Sequence, residues 1–81
     1  MYKVYALYSR NIDRLYIGQT KDLDQRLQEH HEGVSFYTKR ADDWELIHTE
    51  EFSTRSEAMK REKQLKSSRG RAFLREKVAG G

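Results

Sequence analysis

The chain has 81 residues, of which 36% are apolar and 36% charged, and it contains no cysteine. This length predicts a single domain over residues 1–81, and the composition excludes a disulfide framework, a thiolate metal site and a cysteine nucleophile. Because no stretch approaches the roughly 18 apolar residues of a membrane span and the N-terminus lacks a signal-peptide pattern, we expect a cytoplasmic protein without a membrane partner.

The net charge of +3 is unevenly distributed along the chain. Residues 60–77 carry eight basic side chains against Glu62 and Glu76, a local excess of +6, whereas the other 63 residues sum to −3. A cationic segment of this kind favours a polyanionic partner, and nucleic acid is the commonest one inside cells. A solvated helix with interspersed charges is the competing interpretation.

Two strands are predicted at the start of the chain. Residues 2–9 (YKVYALYS) have aromatic and apolar side chains on both faces, which indicates a central strand. Residues 10–13 (RNID) are turn-rich and residues 14–19 (RLYIGQ) form a second strand, so the pair makes a β-hairpin. Gly18 predicts a bulge or the close approach of another backbone or ligand.

A helix is predicted to follow the hairpin. Asp22 and Gln25 have the spacing of a capping box, so the helix begins at this aspartate. Gly33 is a typical residue to find just past a helix end. Leu23 and Leu27 mark the face that points toward the core.

A polar loop over residues 33–43 leads to a predicted third strand, residues 44–52 (WELIHTEEF). The alternation of its side chains divides them between the two faces of the sheet. One set comprises Trp44, Leu46, His48 and Glu50, and the other comprises Glu45, Ile47, Thr49 and Glu51.

Two further helices complete the chain. Thr54 and Glu57 form a second capping box, which starts a helix that ends at about Lys66. The inward stripe of this helix comprises Ala58, Met59, Leu65 and the stem of Lys66. Ser67 or Ser68 caps a last helix, whose apolar residues are Phe73, Leu74 and Val78. The order ββαβαα predicts an α+β fold, with three helices flanking a three-stranded antiparallel sheet.

Glu62 is a candidate functional residue because helical geometry places it on or beside the inward stripe of its helix. A carboxylate in that position is costly unless a cation or a metal ion meets it. The alternative is a side chain that tilts toward solvent and pairs with Lys66 four residues later, or with Arg61 or Lys63.

Arg26 and His30 lie one turn apart on the first predicted helix and flank its buried stripe. The alternative for them is a surface pair near a helix C-terminus, where cations are mildly stabilised. Tyr5 and Tyr16 form a second candidate pair, since a turn centred near residues 10–11 would put them opposite each other on one face. Such aromatic pairs are more often part of a core than of a functional site.

Together these residues resemble the GIY-YIG nuclease family. The matching features are Val4-Tyr5, Tyr16-Ile17-Gly18, Arg26, His30 and Glu62 on a downstream helix. The resemblance covers about Tyr2 to Leu74. The segments YTKR (37–40) and SEAMKREKQLK look like the small stand-alone bacterial members, which are related to the N-terminal nuclease domain of the excision-repair nuclease subunit.

The resemblance implies a role for each matching side chain. Tyr5 would be the tyrosine proposed as general base for the attacking water, and Tyr16 would position water or phosphate through its hydroxyl. Arg26 would bind the scissile phosphate, and His30 would assist proton transfer or orient the site. Glu62 would hold one metal ion, Mg²⁺ or Mn²⁺. Because a tyrosine pKa of about 10 suits a base poorly at neutral pH, a neighbouring cation must lower it.

The predicted function is therefore a metal-dependent endonuclease that hydrolyses DNA phosphodiester bonds, with a role in DNA repair or processing. The alternative is a non-catalytic nucleic-acid-binding protein that keeps the nuclease fold. The residues expected to bind DNA are Lys60, Lys63, Lys66, Arg69 and Arg71. Because phosphate contacts carry no sequence information, we expect low sequence selectivity. DNA structure or a protein partner would then direct the enzyme to its target. We expect the protein to be a monomer.

Overall fold

A computed structural model describes residues 1–32 and 40–80 of the chain. Its elements are β1 (Tyr2–Ser9), β2 (Arg14–Thr20), α1 (Leu23–His31), β3 (Glu45–Phe52), α2 (Arg55–Leu65) and α3 (Ser68–Gly80). The strands form one antiparallel sheet in the order β2-β1-β3. The predicted α+β class, the order ββαβαα and the central first strand are therefore confirmed. The prediction for Gly33 and most of the polar loop predicted over residues 33–43 fall outside the described residues.

The turn between β1 and β2 lies one residue later than predicted. Tyr5 pairs with Gly18 in the antiparallel register, so Tyr16 is diagonal to Tyr5 on the same face and not directly opposite it. The turn ends at Asp13, which has a φ of 50°. The Asp13 carboxylate accepts hydrogen bonds from the Tyr8 hydroxyl and from the guanidinium of Arg75 on α3, both at 2.8 Å. These bonds join the hairpin turn to the last helix.

The sheet buries a different cluster on each face. On one face, α2 and α3 cover the cluster of Val4, Ala6, Ile17, Ala58, Leu65 and Leu74. On the other face, Tyr5, Leu7 and Trp44 pack with Leu23 and Leu27 of α1. Because side chains alternate along β1, this central strand contributes to both clusters, as its sequence indicated.

The predicted alternation of the third strand is wrong, because a β-bulge interrupts it. Ala6 pairs with His48 and Leu7 pairs with Leu46, which leaves Ile47 as the extra residue. The bulge moves His48 to the face covered by α2 and α3, where its ring packs edge-on against Phe73 at a centroid distance of 5.5 Å. The strand also begins one residue later than predicted, at Glu45.

All three predicted helix starts are confirmed by their capping bonds. Asp22 accepts from the backbone of Gln25 at 3.1 Å, Thr54 from Glu57 at 3.2 Å, and Ser67 from Gly70 at 3.2 Å. These are the bonds that satisfy the first free amides of a helix.

The inward face of α2 is narrower than predicted. Ala58 and Leu65 are buried, but Met59 is 51% exposed, so its assignment to the inward stripe is wrong. At the end of α2, beside the buried Leu65, α3 approaches closely at Gly70. A β-carbon there would lie 2.4 Å from both the Gln64 carbonyl oxygen and the Leu65 Cα.

Candidate active site

Four of the predicted site residues meet on the α1 face of the sheet. Tyr5 comes from β1, Tyr16 from β2, and Arg26 and His30 from α1. The ring centroids of Tyr16 and His30 are 4.9 Å apart, those of Tyr5 and His30 are 5.8 Å apart, and those of the two tyrosines are 6.1 Å apart. The Tyr5 hydroxyl and His30 Nε2 share a buried hydrogen bond of 2.9 Å.

Gly18 provides the space in which the two tyrosine rings lie. A β-carbon on this residue would come within 2.9 Å of the Tyr5 hydroxyl oxygen and 3.2 Å of Cε1 of Tyr16. Real β-carbons essentially never approach other atoms as closely as the first of these distances. The sequence predicted a bulge at Gly18 or the close approach of another backbone or a ligand, but the groups that come close are the tyrosine side chains, and the pairing of β1 with β2 is regular there.

His30 is a core residue and not part of a surface pair. Its side chain is almost fully buried, with 2% of the residue exposed, although it lies in the last turn of α1. Burial, together with the positive charge of Arg26, lowers the pKa of His30. The imidazole is therefore neutral near pH 7 and has one nitrogen free of a proton.

Burial also raises the pKa of Tyr5, and Arg26 partly opposes that effect. The Arg26 guanidinium interacts with the hydroxyl groups of Tyr5 and Tyr16 and donates a 3.0 Å hydrogen bond to Glu29. The contacts with Tyr5, Glu29 and Tyr16 raise the pKa of Arg26. Tyr5 is thus a protonated phenol between a fixed cation and a neutral imidazole.

Arg26 is reachable from solvent. Its side chain is about one third exposed (34%) and lines an open cavity of about 370 Å³. The cavity is also lined by Gln19, Thr20, Asp22, Gln25 and Glu29. An anion that enters this cavity meets the same guanidinium that contacts the two tyrosines.

Glu62 lies on α2, which covers the opposite face of the sheet from Tyr5 and α1, and it is not a member of the cluster described above. Its Oε2 accepts a 2.8 Å hydrogen bond from Lys66 Nζ, and its side chain is 22% exposed. Lys66 also lines a cavity of about 170 Å³ beside Tyr16, together with Leu15, Ile17 and Arg71. The predicted pairing of Glu62 with Lys66 is therefore present in the folded chain.

The donor set around Glu62 fits a hydrated hard cation. No group of three or more potential metal-ligating side chains occurs within residues 1–32 and 40–80. Mg²⁺ requires no such group, because it commonly keeps several waters and is held by one or two carboxylates plus substrate phosphates. One carboxylate, paired with a lysine that lines the basic cavity, is compatible with that mode of binding.

The five basic residues predicted to bind nucleic acid are all exposed: Lys60, Lys63, Lys66, Arg69 and Arg71. Two other basic residues of the 60–77 segment are committed to the fold, since Arg61 pairs with Glu50 at 3.0 Å and Arg75 pairs with Asp13 at 2.8 Å. The exposed cations are thus concentrated at the end of α2 and the start of α3.

Sequence reasoning missed Glu29, which holds Arg26, and the shared cavity of Tyr16, Lys66 and Arg71. The spacing of Glu29 three residues after Arg26 was an available signal. The cavity had no local signal, because it joins β2 to the corner between α2 and α3.

This fold, with two tyrosines on a hairpin and an arginine and a histidine on the following helix, defines the class of GIY-YIG domains. The model of the GIY-YIG catalytic domain matches residues 1–76. The chain belongs to the GIY-YIG nuclease family.

Its relatives include several UPF0213 proteins, which are small stand-alone members of that family. The chain is 41% identical over 56 residues to one from Natronomonas pharaonis, and the match covers 68% of this chain and 66% of the relative. It is 39% identical over 71 residues to one from Bacillus velezensis, covering 83% and 72% respectively.

The solution NMR structure of a UPF0213 protein from Bacillus halodurans has the same fold. It aligns with a TM-score of 0.55 and 32% identity, over 91% of this chain and 82% of the other. Among the helices in the described part of the chain, none combines the length and apolar character needed to cross a membrane.

Proposed function

We propose that this protein is a metal-dependent endonuclease that hydrolyses DNA phosphodiester bonds with low sequence selectivity, in DNA repair or processing. The observation that carries the proposal is the buried hydrogen bond between Tyr5 and His30, next to a guanidinium that contacts both tyrosines. A purely structural cluster has little need for a solvent-reachable arginine held against two phenols.

Arg26 is the proposed phosphate ligand. A guanidinium remains charged at any pH that the protein meets and can donate two parallel hydrogen bonds to phosphate oxygens. Glu29 and the two hydroxyl groups fix its orientation, and the cavity at its side admits a phosphate. A fixed cation that needs no rearrangement stabilises the charge that builds up on the phosphate in the transition state.

Tyr5 and His30 form the proposed path for the proton of the attacking water. A neutral His30 with its proton on Nδ1 accepts a hydrogen bond from the Tyr5 hydroxyl at Nε2. The Tyr5 oxygen is fully buried in the free protein, so this step requires that substrate binding admit the attacking water to it. Tyr5 then takes a proton from that water and passes its own proton to His30 Nε2. Because burial raises the pKa of Tyr5, this relay avoids a free phenolate, and the positive charge forms instead at His30, whose own pKa is lowered by burial and by Arg26.

Tyr16 and Glu62 complete the proposed machinery. The Tyr16 hydroxyl, which also contacts Arg26, orients the phosphate or the water. Glu62 is the proposed ligand of one divalent ion, Mg²⁺ or Mn²⁺. The chemistry that such an ion supplies is Lewis acidity toward the phosphate and stabilisation of the leaving oxygen.

DNA is the proposed substrate, held through its phosphates by the exposed cations of α2 and α3. Lys66 and Arg71 are central to this surface because they share the cavity with Tyr16. Phosphate contacts give affinity without sequence information, so targeting is assigned to DNA structure or to a protein partner.

A second candidate is a non-catalytic nucleic-acid-binding protein with the same fold. The observation that favours it is the contact between Lys66 and Glu62, which engages the proposed metal ligand. The two candidates agree on DNA binding and differ in turnover.

The test is nicking of supercoiled plasmid with Mg²⁺ or Mn²⁺, comparing the wild type with Arg26→Ala, Glu62→Ala and the exposed control Glu76→Ala. We expect Arg26→Ala to lose roughly 100-fold or more in rate, as does removal of a transition-state donor elsewhere. Glu62→Ala should also lose activity, and Glu76→Ala should keep it. A wild type that binds DNA but nicks no plasmid under either metal would support the binding protein instead.

A further inference from the structure

We propose that Lys66 is a tethered counter-ion that couples metal binding to DNA binding: it neutralises Glu62 in the DNA-free protein and exchanges this carboxylate for a DNA phosphate. The inference rests on the proposed function. It gives a specific role to Lys66, a residue that takes no part in the proposed reaction steps.

The first observation is the position of the ammonium group. Lys66 Nζ lies 2.8 Å from Glu62 Oε2, within charge-assisted hydrogen-bond range. A divalent ion bound by the same carboxylate would therefore have a like charge beside it. Such repulsion weakens the binding of the ion for as long as Lys66 stays in place.

The second observation is the other surface that Lys66 touches. The same side chain lines the cavity of about 170 Å³ beside Tyr16, where Arg71 supplies a second cation. The Glu62 carboxylate and the cavity are therefore both within reach of the flexible Lys66 side chain, half of whose surface is exposed.

The energetic balance favours an exchange. An exposed ion pair four residues apart on a helix is weak, because solvent screens it and ordering two long side chains costs entropy. A DNA phosphate in the cavity is shared between Lys66 and Arg71, and its binding also releases counter-ions from the DNA, which adds to the affinity. Lys66 then leaves Glu62, whose carboxylate becomes free to bind the ion.

The exchange makes the two binding events reciprocal. If bound DNA raises the affinity for the ion by some factor, the bound ion raises the affinity for DNA by the same factor. Replacing Lys66 with an uncharged side chain of similar length removes both the competition and the coupling. It therefore strengthens metal binding in the DNA-free protein while it weakens DNA binding.

The experiment measures Mn²⁺ binding to the DNA-free protein by electron paramagnetic resonance, for the wild type, Lys66→Met, the charge-matched control Lys77→Met, and Glu62→Gln. We expect Lys66→Met to bind Mn²⁺ about tenfold more tightly than the wild type, the size of effect that one charge a few ångströms from a divalent ion produces in water. Lys77→Met should match the wild type, and Glu62→Gln should lose the site.

A second measurement tests the coupling. DNA affinity is measured by fluorescence anisotropy with and without Mn²⁺, with Tyr5→Phe present in every variant to prevent cleavage. The gain in DNA affinity on adding Mn²⁺ should appear with Lys66 intact and in the Lys77→Met background, and should shrink with Lys66→Met.

Two results separate the possible failures. If Lys66→Met and Lys77→Met change Mn²⁺ affinity equally while Glu62→Gln abolishes binding, the counter-ion role is overturned and the metal site survives. If Glu62→Gln binds Mn²⁺ as the wild type does, the metal ligand of the proposed function is itself wrong. Because Lys66 is exposed, we expect circular dichroism to show a folded Lys66→Met variant.

Discussion

Gly18 lies directly opposite Tyr5 in the pairing of β1 with β2, and it leaves room for the Tyr5 hydroxyl to reach His30. The phenol occupies space that any β-carbon at this position would take, since the hydroxyl oxygen would lie 2.9 Å from it. Tyr5 is fully buried, so it has little freedom to move aside. The glycine thus positions the proposed proton path while taking no part in the chemistry.

Gly18→Ala is therefore expected to damage the site as well as the fold. An extra methyl group in a packed interior forces neighbours to shift and typically costs about 1–3 kcal/mol. The shift falls on the Tyr5 hydroxyl, so nicking activity should fall more than the folded fraction does. Urea denaturation and plasmid nicking on the same sample measure the two effects.

The control for this prediction is to introduce Gly18→Ala into a protein that already carries Tyr5→Phe. Tyr5→Phe removes the hydroxyl that is nearest to the added methyl group but leaves the ring carbon at 3.1 Å. Gly18→Ala should then cost less stability than it does in the wild type, because residues in contact are not additive. Equal costs in both backgrounds would show that the hydroxyl is not what the methyl group meets.

His30 is expected to make the protein less stable in mild acid. Burial lowers its pKa below the unfolded value of about 6.5, so the unfolded chain binds a proton more readily than the folded chain. The contribution of neutral His30 to the free energy of unfolding is fully present above pH 6.5. It is lost as the pH drops toward the folded pKa, by at most about 1.4 kcal/mol per pH unit. Urea denaturation between pH 7.5 and pH 5 measures this slope.

Other groups also respond to acid, so variants must isolate the histidine. Contacts with Arg75 and with Ser9 hold the pKa values of Asp13 and Asp43 low, and both carboxylates contribute to the slope at lower pH. His30→Gln should flatten the dependence between pH 7 and pH 5.5, whereas His31→Gln should change it less, because the charge of His31 is the smallest of the effects on the pKa of His30. An unaltered slope in His30→Gln contradicts the assignment of a buried neutral imidazole.

The basic start of α3 is expected to reduce stability and favour DNA binding. Arg69 lies in the first turn of α3, which contains no acidic residue, although the N-terminus of a helix favours negative charge. Arg69→Glu should raise stability by about 0.3–1 kcal/mol and lower DNA affinity. The slope of log affinity against log salt concentration should also become shallower by about one unit, as expected for the loss of one phosphate contact.

Arg55→Glu is the matched control, since it changes the same charge in the first turn of α2, outside the basic segment. It should also stabilise its helix, but it should leave DNA affinity nearly unchanged. Thermal unfolding and fluorescence anisotropy over a range of salt concentrations give both quantities. Equal losses of DNA affinity in the two variants would indicate that net charge alone governs binding.

Gly70→Ala separates packing from helix propensity. Within a helix, alanine is more favourable than glycine by roughly 0.5–1 kcal/mol, so propensity alone predicts a more stable protein. The added β-carbon would instead lie 2.4 Å from backbone atoms of Gln64 and Leu65, which cannot rotate away. We therefore expect a loss of about 3 kcal/mol or more, measured by urea denaturation. A stabilised variant would contradict the tight contact between α2 and α3.

Local patterns predicted most of the fold. The capping residues Asp22 and Thr54 located two helix starts, because a cap depends on residues only three positions apart. The bulge at Ile47 was not predictable in this way, since it arises from the pairing of β3 with β1, far away in the sequence. It separates Leu46 from His48, although strict alternation would put them on one face.

Four residues of the candidate site, Tyr5, Tyr16, Arg26 and His30, were predictable as residues that come together, but their geometry was not. Arg26 and His30 were paired correctly by helical spacing, whereas the burial of His30 depends on packing against the hairpin. The exposure of Met59 was missed because helical spacing alone does not give the width of the face that α2 buries. Contacts between elements that are distant in the chain decide both outcomes.

The most direct test of the proposed chemistry is the rate of supercoiled-plasmid nicking by Tyr5→Phe and Tyr8→Phe with saturating Mg²⁺ or Mn²⁺. Each variant deletes one phenolic oxygen from the same strand, but the Tyr8 hydroxyl binds Asp13 at the hairpin turn and lies outside the cluster. If the proton relay is correct, Tyr5→Phe stays folded and loses at least about 100-fold in rate, while Tyr8→Phe keeps nearly wild-type activity. A folded Tyr5→Phe variant that nicks plasmid as fast as Tyr8→Phe would contradict the relay.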